Sequence, residues 1–281
     1  MKTRISVVCI IIIAVLGLGG CSKKGSGSLF RIQYIDVGQG DAALVECDGH
    51  YMLIDGGDTT AGDKVYSVLE ENGIQKLDIL AISHMHKDHI GGLEKALRYA
   101  SSIGITISNS NDSDTEVFKD FVHQLSINGA SITVPNVGDK YSLGSAEVEV
   151  VDVASSDPND SLVLLVTYGK TNFLFTGDIE YDGQKRLADK YQNDADKEFK
   201  VNVMKMPHHG SSDGDLYRFV RTFMPDYAVI SCGAGNMYGH PHEETLNLLD
   251  QADIKKIFRT DINGDITVRS DGKEVTFKTQ K

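Results

Sequence analysis

Short apolar runs, many of them β-branched, alternate along the chain with stretches of helical spacing. Residues 29–36, 42–47 and 51–54 predict three successive strands with Gly-rich turns between them. Residues 64–72 carry helical spacing and stop at Gly73, a natural C-cap. The unbroken apolar run 77–83 predicts a buried strand. Beyond it the pattern predicts a helix over 93–100, a strand over 103–107, a helix over 116–127 and a strand over 132–134. Further strands are expected at 141–153, 162–168, 172–175, 201–206, 227–231, 255–258, 265–269 and 274–278, with helices at 215–223 and 242–251. Strands followed by helices, twice over, imply an α/β chain with two sheets and helices outside them. No fixed-period repeat or internal linker interrupts residues 29–281, so one domain is expected there.

The first twenty residues differ from the rest. Lys2 and Arg4 precede an apolar run of about 14 residues, shorter than the ~20 a spanning helix needs, and small residues follow. Leu18-Gly19-Gly20-Cys21 resembles the lipobox of bacterial lipoproteins. That resemblance implies cleavage before Cys21, a lipid on its sulfur and anchoring to the outer face of the cell membrane. Residues 22–28, rich in Ser and Gly, then read as a flexible tether.

Composition adds exclusions. With 41% hydrophobic and 24% charged residues, the chain is neither a disordered tail nor a polytopic membrane protein. The formal charge of −12 repels phosphate backbones at long range, and Lys87, Lys205 and Arg259 are too scattered to form a basic groove. Cys47 and Cys232 lie in strand-like runs and read as buried free thiols, not as a disulfide framework.

The chemistry concentrates at Ser83-His84-Met85-His86-Lys87-Asp88-His89, at the end of a buried strand. Three of the nine histidines fall within six residues, beside a carboxylate. Imidazole and carboxylate are the ligands that Zn²⁺, Mn²⁺ or Fe²⁺ accept. His-x-His-x-Asp-His is the signature of the metallo-β-lactamase superfamily, which the chain resembles over 29–281. The resemblance implies a four-layer αββα sandwich: two mixed β-sheets flanked by helices. It places His84 and His86 on one divalent metal, Asp88 and His89 on a second, and Asp178, within Phe175-Thr176-Gly177-Asp178, between both. Asp55, within Leu53-Ile54-Asp55-Gly56-Gly57, is expected to support the histidine loop from behind.

Narrower matches are Asp36-Val37-Gly38-Gln39-Gly40-Asp41, Ser161-Leu162-Val163-Leu164, His208-His209-Gly210-Ser211 and Tyr238-Gly239-His240-Pro241. Together they resemble the soluble hydrolase domain of ComEC-like competence proteins. This implies an extracytoplasmic phosphodiesterase with two divalent ions, Zn or Mn, sharing a hydroxide. Its substrate would be nucleic acid or an envelope phosphodiester. Asp88 would orient the hydroxide, and His240 with His208 would face the departing oxygen. His209 is favoured as a metal ligand and His208 as the substrate-facing group, with the reverse assignment open.

One departure stands out. Other branches of the superfamily place a further histidine on the first metal, but between His89 and His208 the chain has only His123, on a helical run. His123 reads as a surface or packing residue, and Asn159 or Asp160 is the candidate for the vacant position. That metal is therefore expected to be weakly held. Rival expectations are a lactone, thioester or β-lactam hydrolase, and a non-catalytic lipoprotein that binds a partner or captures metal. For His240 the rival is a loop-stabilising role. His242 reads as a helix-cap residue, and Asn236 is a weaker ligand-binding candidate.

Overall fold

The structure, a computed structural model, describes residues 30–153, 160–192 and 200–281. The N-terminal segment with Cys21, the tether at 22–28 and Asn159 lie outside the described residues. Two sheets face each other. The first runs, in spatial order, Val275–Thr279, Ile266–Ser270, Phe30–Tyr34, Ala43–Cys47, His50–Ile54, Lys76–Ile82, Ser102–Ser108 and Ile132–Thr133. The second runs Lys256–Arg259, Tyr227–Ile230, Val203–Lys205, Thr171–Phe175, Val163–Tyr168, Ala146–Asp152 and Lys140–Leu143. Both are mixed. The first turns from antiparallel to parallel at His50–Ile54, and the second does so at Thr171–Phe175.

Strand alternation divides the apolar residues between the layers. Phe30, Ile32, Val45, Ile79, Leu164, Val166 and Phe173 meet in a core between the sheets. Leu44, Leu53, Leu80 and Ile82 point the other way, against Val65, Leu93 and Phe121 of the helices Gly62–Glu71, Leu93–Tyr99 and Glu116–Ile127. Val163, Leu165 and Met204 do the same on the second sheet, beneath Leu187, Phe219 and Leu249 of Tyr181–Gln192, Leu216–Phe223 and Glu243–Gln251. This is the expected four-layer sandwich, and it explains why the central strands read as continuous apolar runs: both faces are covered.

Two segments differ from the sequence expectation. The single strand expected over 141–153 is two, Lys140–Leu143 and Ala146–Asp152, paired antiparallel with Leu143 opposite Ala146. Gly144, at φ 59°, takes the left-handed turn conformation between them. The helix Tyr181–Gln192 has no counterpart in the apolar pattern. Its buried face is Gly183, Gln184, Leu187, Ala188 and Tyr191, correctly spaced for a helix but partly written in Gly and Gln. Gln184 supplies hydrogen bonds where an apolar residue would supply burial, donating Nε2 to the carbonyls of Ile179 (2.9 Å) and Asp213 (3.2 Å). Cys47 and Cys232 are both free and buried, and burial pushes the Cys232 thiol up to about 12. Among the described residues, no helix is long and apolar enough to cross a membrane.

Candidate metal centre

Four strands deliver the site from their C-terminal ends. Lys76–Ile82 leads into residues 83–90, Thr171–Phe175 into Asp178, Val203–Lys205 into His208 and His209, and Tyr227–Ile230 into the loop carrying His240. The histidine loop is clamped by backbone. Asp41 N–H donates to the Asp88 carbonyl (3.1 Å), Gly56 N–H to the His89 carbonyl (2.6 Å) and Leu162 N–H to the Ser83 carbonyl (2.7 Å). A side chain at Gly40 would collide with the Asp88 carbonyl, so the Asp36–Asp41 motif can lie against this loop only with glycine there.

One carboxylate oxygen is the focus. Asp178 Oδ2 lies 3.1 Å from His89 Nε2, 3.2 Å from His209 Nε2, and 4.0 Å from both His84 Nε2 and His208 Nε2. His209 Nε2 is also 3.2 Å from Asp88 Oδ2. Asp88, His89, Asp178 and His209 are therefore close enough to share one ion. Metal bonds of about 2.0–2.2 Å set ligand atoms roughly 3–3.5 Å apart around a tetrahedral ion; the three shorter N···O distances above fall in that range, and all four ligand atoms lie within 4.8 Å of one another.

The ring orientations agree with that use. Asp55, 1% exposed, accepts from Ser83 N–H (2.8 Å), from Ser83 Oγ–H (2.7 Å) and from His89 Nδ1–H (2.9 Å). His209 donates Nδ1–H to the Ser231 carbonyl at 3.0 Å. Both rings thus turn Nε2 toward Asp178. The buried Nε2 of His84 and Oδ1 of Asp178 make no hydrogen bond. Polar atoms so placed are what a cation would satisfy.

The electrostatics point the same way. Burial opposes a charge on His89, but Asp178 and Asp55 outweigh it and hold the imidazole well above its ordinary value. His209 is likewise held up against burial by Asp178 and Asp41. Burial would raise Asp178, yet His209 and His89 hold it well below the carboxylate range. The carboxylates that hold these two imidazoles up would equally favour a metal cation, which displaces their protons on binding. His84 behaves oppositely: burial, reinforced by the charge on His89, pushes it well below its ordinary value.

The other expected residues fall around this focus. His86 is exposed at the rim, its ring edge-on to His84 at 4.4 Å. His208 is 29% exposed, with Nδ1 3.7 Å from Glu180. His240, half-buried, lies 5.5 Å from the His208 ring and 6.1 Å from that of His209. Burial, and after it the neighbouring imidazoles, push His240 down to about 4. His242 occupies the N-cap position of Glu243–Gln251, and Asn236 spends its side chain within its own loop. His123 is exposed on the outer helix Glu116–Ile127. Asp160 turns its carboxylate to Arg186 Nη2 at 3.0 Å.

His208 and His209 diverge for a reason strand alternation does not supply. Both residues adopt left-handed backbone, φ 45° and 54°, in the short turn Pro207–Gly210. For non-glycine residues this costs roughly 1–2 kcal/mol each. The turn is held by His208 N–H donating to Gly177 O (3.1 Å) and Ser211 N–H donating to His208 O (2.8 Å).

Three supporting residues carried no assigned role in the sequence. Lys205, 3% exposed, pairs with Asp41 at 2.6 Å, and Asp41 lies 3.3 Å from His209 Nδ1. Ser161 Oγ accepts the Asp178 N–H at 2.8 Å and reaches His84 Nδ1 at 3.4 Å. A signal for the first pair existed: a lysine inside the apolar strand Val203–Lys205, with no solvent face, needs a buried partner.

Comparison with known proteins accords with this geometry. Residues 35–234 match the metallo-β-lactamase superfamily. The chain is 30% identical over 272 residues to ComE operon protein 3 of Bacillus subtilis, covering 88% of this chain and 34% of that protein. It is 30% identical over 230 residues to competence protein ComA of Neisseria gonorrhoeae, covering 82% and 30% respectively. The chain thus spans about a third of the length of these relatives. The metallo-β-lactamase fold protein YhfI of Bacillus subtilis shares the fold at 12% identity, with a TM-score of 0.54 over 82% of this chain and 96% of that one. A two-sheet sandwich whose strand ends gather four imidazoles on one aspartate therefore has its relatives where its motifs pointed, and the chain belongs to the metallo-β-lactamase superfamily, in its ComEC-like group.

Proposed function

We propose that this protein is a dinuclear, metal-dependent phosphodiesterase acting on nucleic acid or a related phosphodiester, held outside the cell by a lipid on Cys21. The observation that carries the reading is the ring of imidazole Nε2 atoms around Asp178 Oδ2, with His208 and His240 on its open side. Asp88, His89 and His209 would hold one divalent ion, His84 and His86 the other, and Asp178 would serve both. Such ions, when bound, polarise phosphoryl oxygens and lower the pKa of water toward neutrality.

The remaining steps belong to side chains. Asp88, its side chain 30% exposed, accepts a hydrogen bond from the attacking water and aims it. His240, neutral at pH 7 with a pKa pushed down to about 4, donates an N–H hydrogen bond to the departing oxygen instead of supplying a full charge. His208 faces the same side. One relative is named as a competence protein and another as a recombination protein, which is compatible with nucleic acid as the substrate class.

Hydrolysis of bis-p-nitrophenyl phosphate, nitrocefin and a thioester, each with Mn²⁺ and Zn²⁺, tests the reading. Turnover of the phosphodiester is expected; turnover confined to nitrocefin or the thioester overturns it. His240→Ala should lower kcat by about 10²-fold or more with bound metal retained. For the anchor, Cys21→Ala should leave an unlipidated, unprocessed precursor, so that mature-sized protein disappears from the detergent phase of a partition assay. Mature-sized mutant protein still in that phase would end the lipoprotein reading.

A further inference from the structure

Lys205, Lys87 and Arg259 each already have an acidic partner. Lys205 is buried on Asp41 (2.6 Å), Lys87 pairs with Asp58 (3.0 Å) and Arg259 with Asp261 (2.6 Å). A formal charge of −12 works against long-range capture of a phosphate backbone. Beside the centre the protein offers an aromatic alternative. The rings of His209, His240 and Tyr238 follow one another from buried to exposed, with centroids 6.1 Å and then 5.6 Å apart. The Tyr238 ring lies within 21° of parallel to His240 and is 60% exposed, next to Met237 at 89%.

The loop under Tyr238 is fixed in advance. Asn236 Oδ1 accepts from the N–H groups of Tyr238 (3.2 Å) and His240 (3.0 Å). Its Nδ2 donates to the carbonyls of Gly233 (2.9 Å) and His240 (2.6 Å). His242 accepts the Ser212 N–H on Nδ1 (3.0 Å), which leaves Nε2–H to donate to the Tyr238 carbonyl (3.2 Å). The Tyr238 backbone is thus pinned on both sides. An exposed aromatic held this way loses little entropy when a flat partner stacks on it.

We propose that Tyr238 is a stacking platform for a nucleobase attached to the phosphodiester being cleaved, so that the substrate is a single-stranded nucleic acid or a nucleotide ester, gripped by its base. This rests on the phosphodiesterase reading above. Base–aromatic stacking is independent of the protein's charge and tolerant of base identity.

The chain contains no tryptophan, so Tyr238→Trp creates a unique fluorophore. With the full chain and its metals, a cleavage-resistant phosphorothioate oligo(dT) should quench the new indole saturably, and an abasic oligomer of equal length should not. A thymidine dinucleotide quenching as tightly as oligo(dT) assigns the site to nucleotides; tighter binding of the oligomer assigns it to single strands. In turnover, Tyr238→Ala should cut the kcat/KM preference for oligo(dT) over the abasic oligomer by about tenfold or more, and Tyr238→Phe should restore it. Equal quenching by both oligomers, or an unchanged preference in Tyr238→Ala, overturns the platform. If the unaltered protein cleaves no phosphodiester, with or without a base, the phosphodiesterase reading falls instead.

Discussion

His84 and His89 stand in one loop, both fully buried, and yet they are prepared for a cation in opposite ways. His89 has carboxylates on both sides: Asp55 on Nδ1 at 2.9 Å and Asp178 near Nε2 at 3.1 Å. His84 has hydroxyls behind it, Ser83 at 3.1 Å and Ser161 at 3.4 Å, and its Nε2 makes no hydrogen bond. The companions differ as well. His209, on the side of His89, is 1% exposed and backed by the Ser231 carbonyl and the Asp41–Lys205 pair, whereas His86, beside His84, is exposed at the rim. Carboxylate and carbonyl acceptors behind a ligating imidazole fix its ring and raise its basicity, typically by enough to change metal affinity 10–100-fold. On the proposed dinuclear reading, the buried half would retain its ion and the open half would exchange one.

The strongest way to break this comparison is to remove what both halves share. Asp178→Ala should abolish phosphodiester hydrolysis and reduce bound metal to one equivalent or less by elemental analysis. Two retained equivalents with full activity would take Asp178 out of the centre.

Next is the support behind His209. Asp41→Asn leaves Lys205 buried beside a neutral amide, and breaking a buried pair in this way typically costs about 3–5 kcal/mol. A clear fall in melting temperature is expected, together with roughly 10–100-fold weaker metal binding in the buried half. Asp41→Asn combined with Lys205→Met removes the unpaired charge and should recover much of the stability but not the affinity. Recovery of both would mean that the pair serves packing alone.

The same contrast explains what could be read from the chain without coordinates. His84, His86, Asp88 and His89 are adjacent in sequence, so one short loop displays them, and the apolar strand before it marks where they must sit. The central strands were equally plain because alternation sends their residues into two apolar cores. What stayed hidden works through polar contacts made across the sandwich. The Tyr181–Gln192 helix buries Gly183 and Gln184, which no apolar period records. The left-handed turn at His208 and His209 is invisible because histidine, though enriched there among non-glycine residues, adopts positive φ in only a minority of cases. Ser161 joins Asp178 to His84 only because two strands of different sheets end together.

A gentler intervention acts on the open half alone. His86→Ala removes a ring that is exposed at the rim and contributes nothing to the buried cores. It should release one equivalent of metal, leave the melting temperature within about a degree, and make activity dependent on added Mn²⁺ or Zn²⁺. If the equivalent lost is instead the chelator-resistant one, the assignment of tight and loose halves is inverted.

The smallest expected effect completes the comparison, because it asks whether the open half has an imidazole ligand beyond His84 and His86. His123 is the only other histidine between His89 and His208. It projects to solvent from Glu116–Ile127, a helix whose opposite face, with Phe118, Phe121 and Leu125, covers the first sheet. His123 is exposed on that outer layer and is not among the residues gathered on Asp178. Replacing it removes neither a ligand nor a buried contact, and exposed substitutions of this kind usually shift stability by less than about 0.5 kcal/mol. His123→Ala should therefore leave kcat, both metal equivalents and the melting temperature near those of the unaltered protein. Loss of one equivalent on His123→Ala would mean that the outer helix reaches the centre in solution. The open half would then be a three-histidine site, and the phosphodiester reading would lose the feature that separates it from the lactone and thioester hydrolases of the same fold.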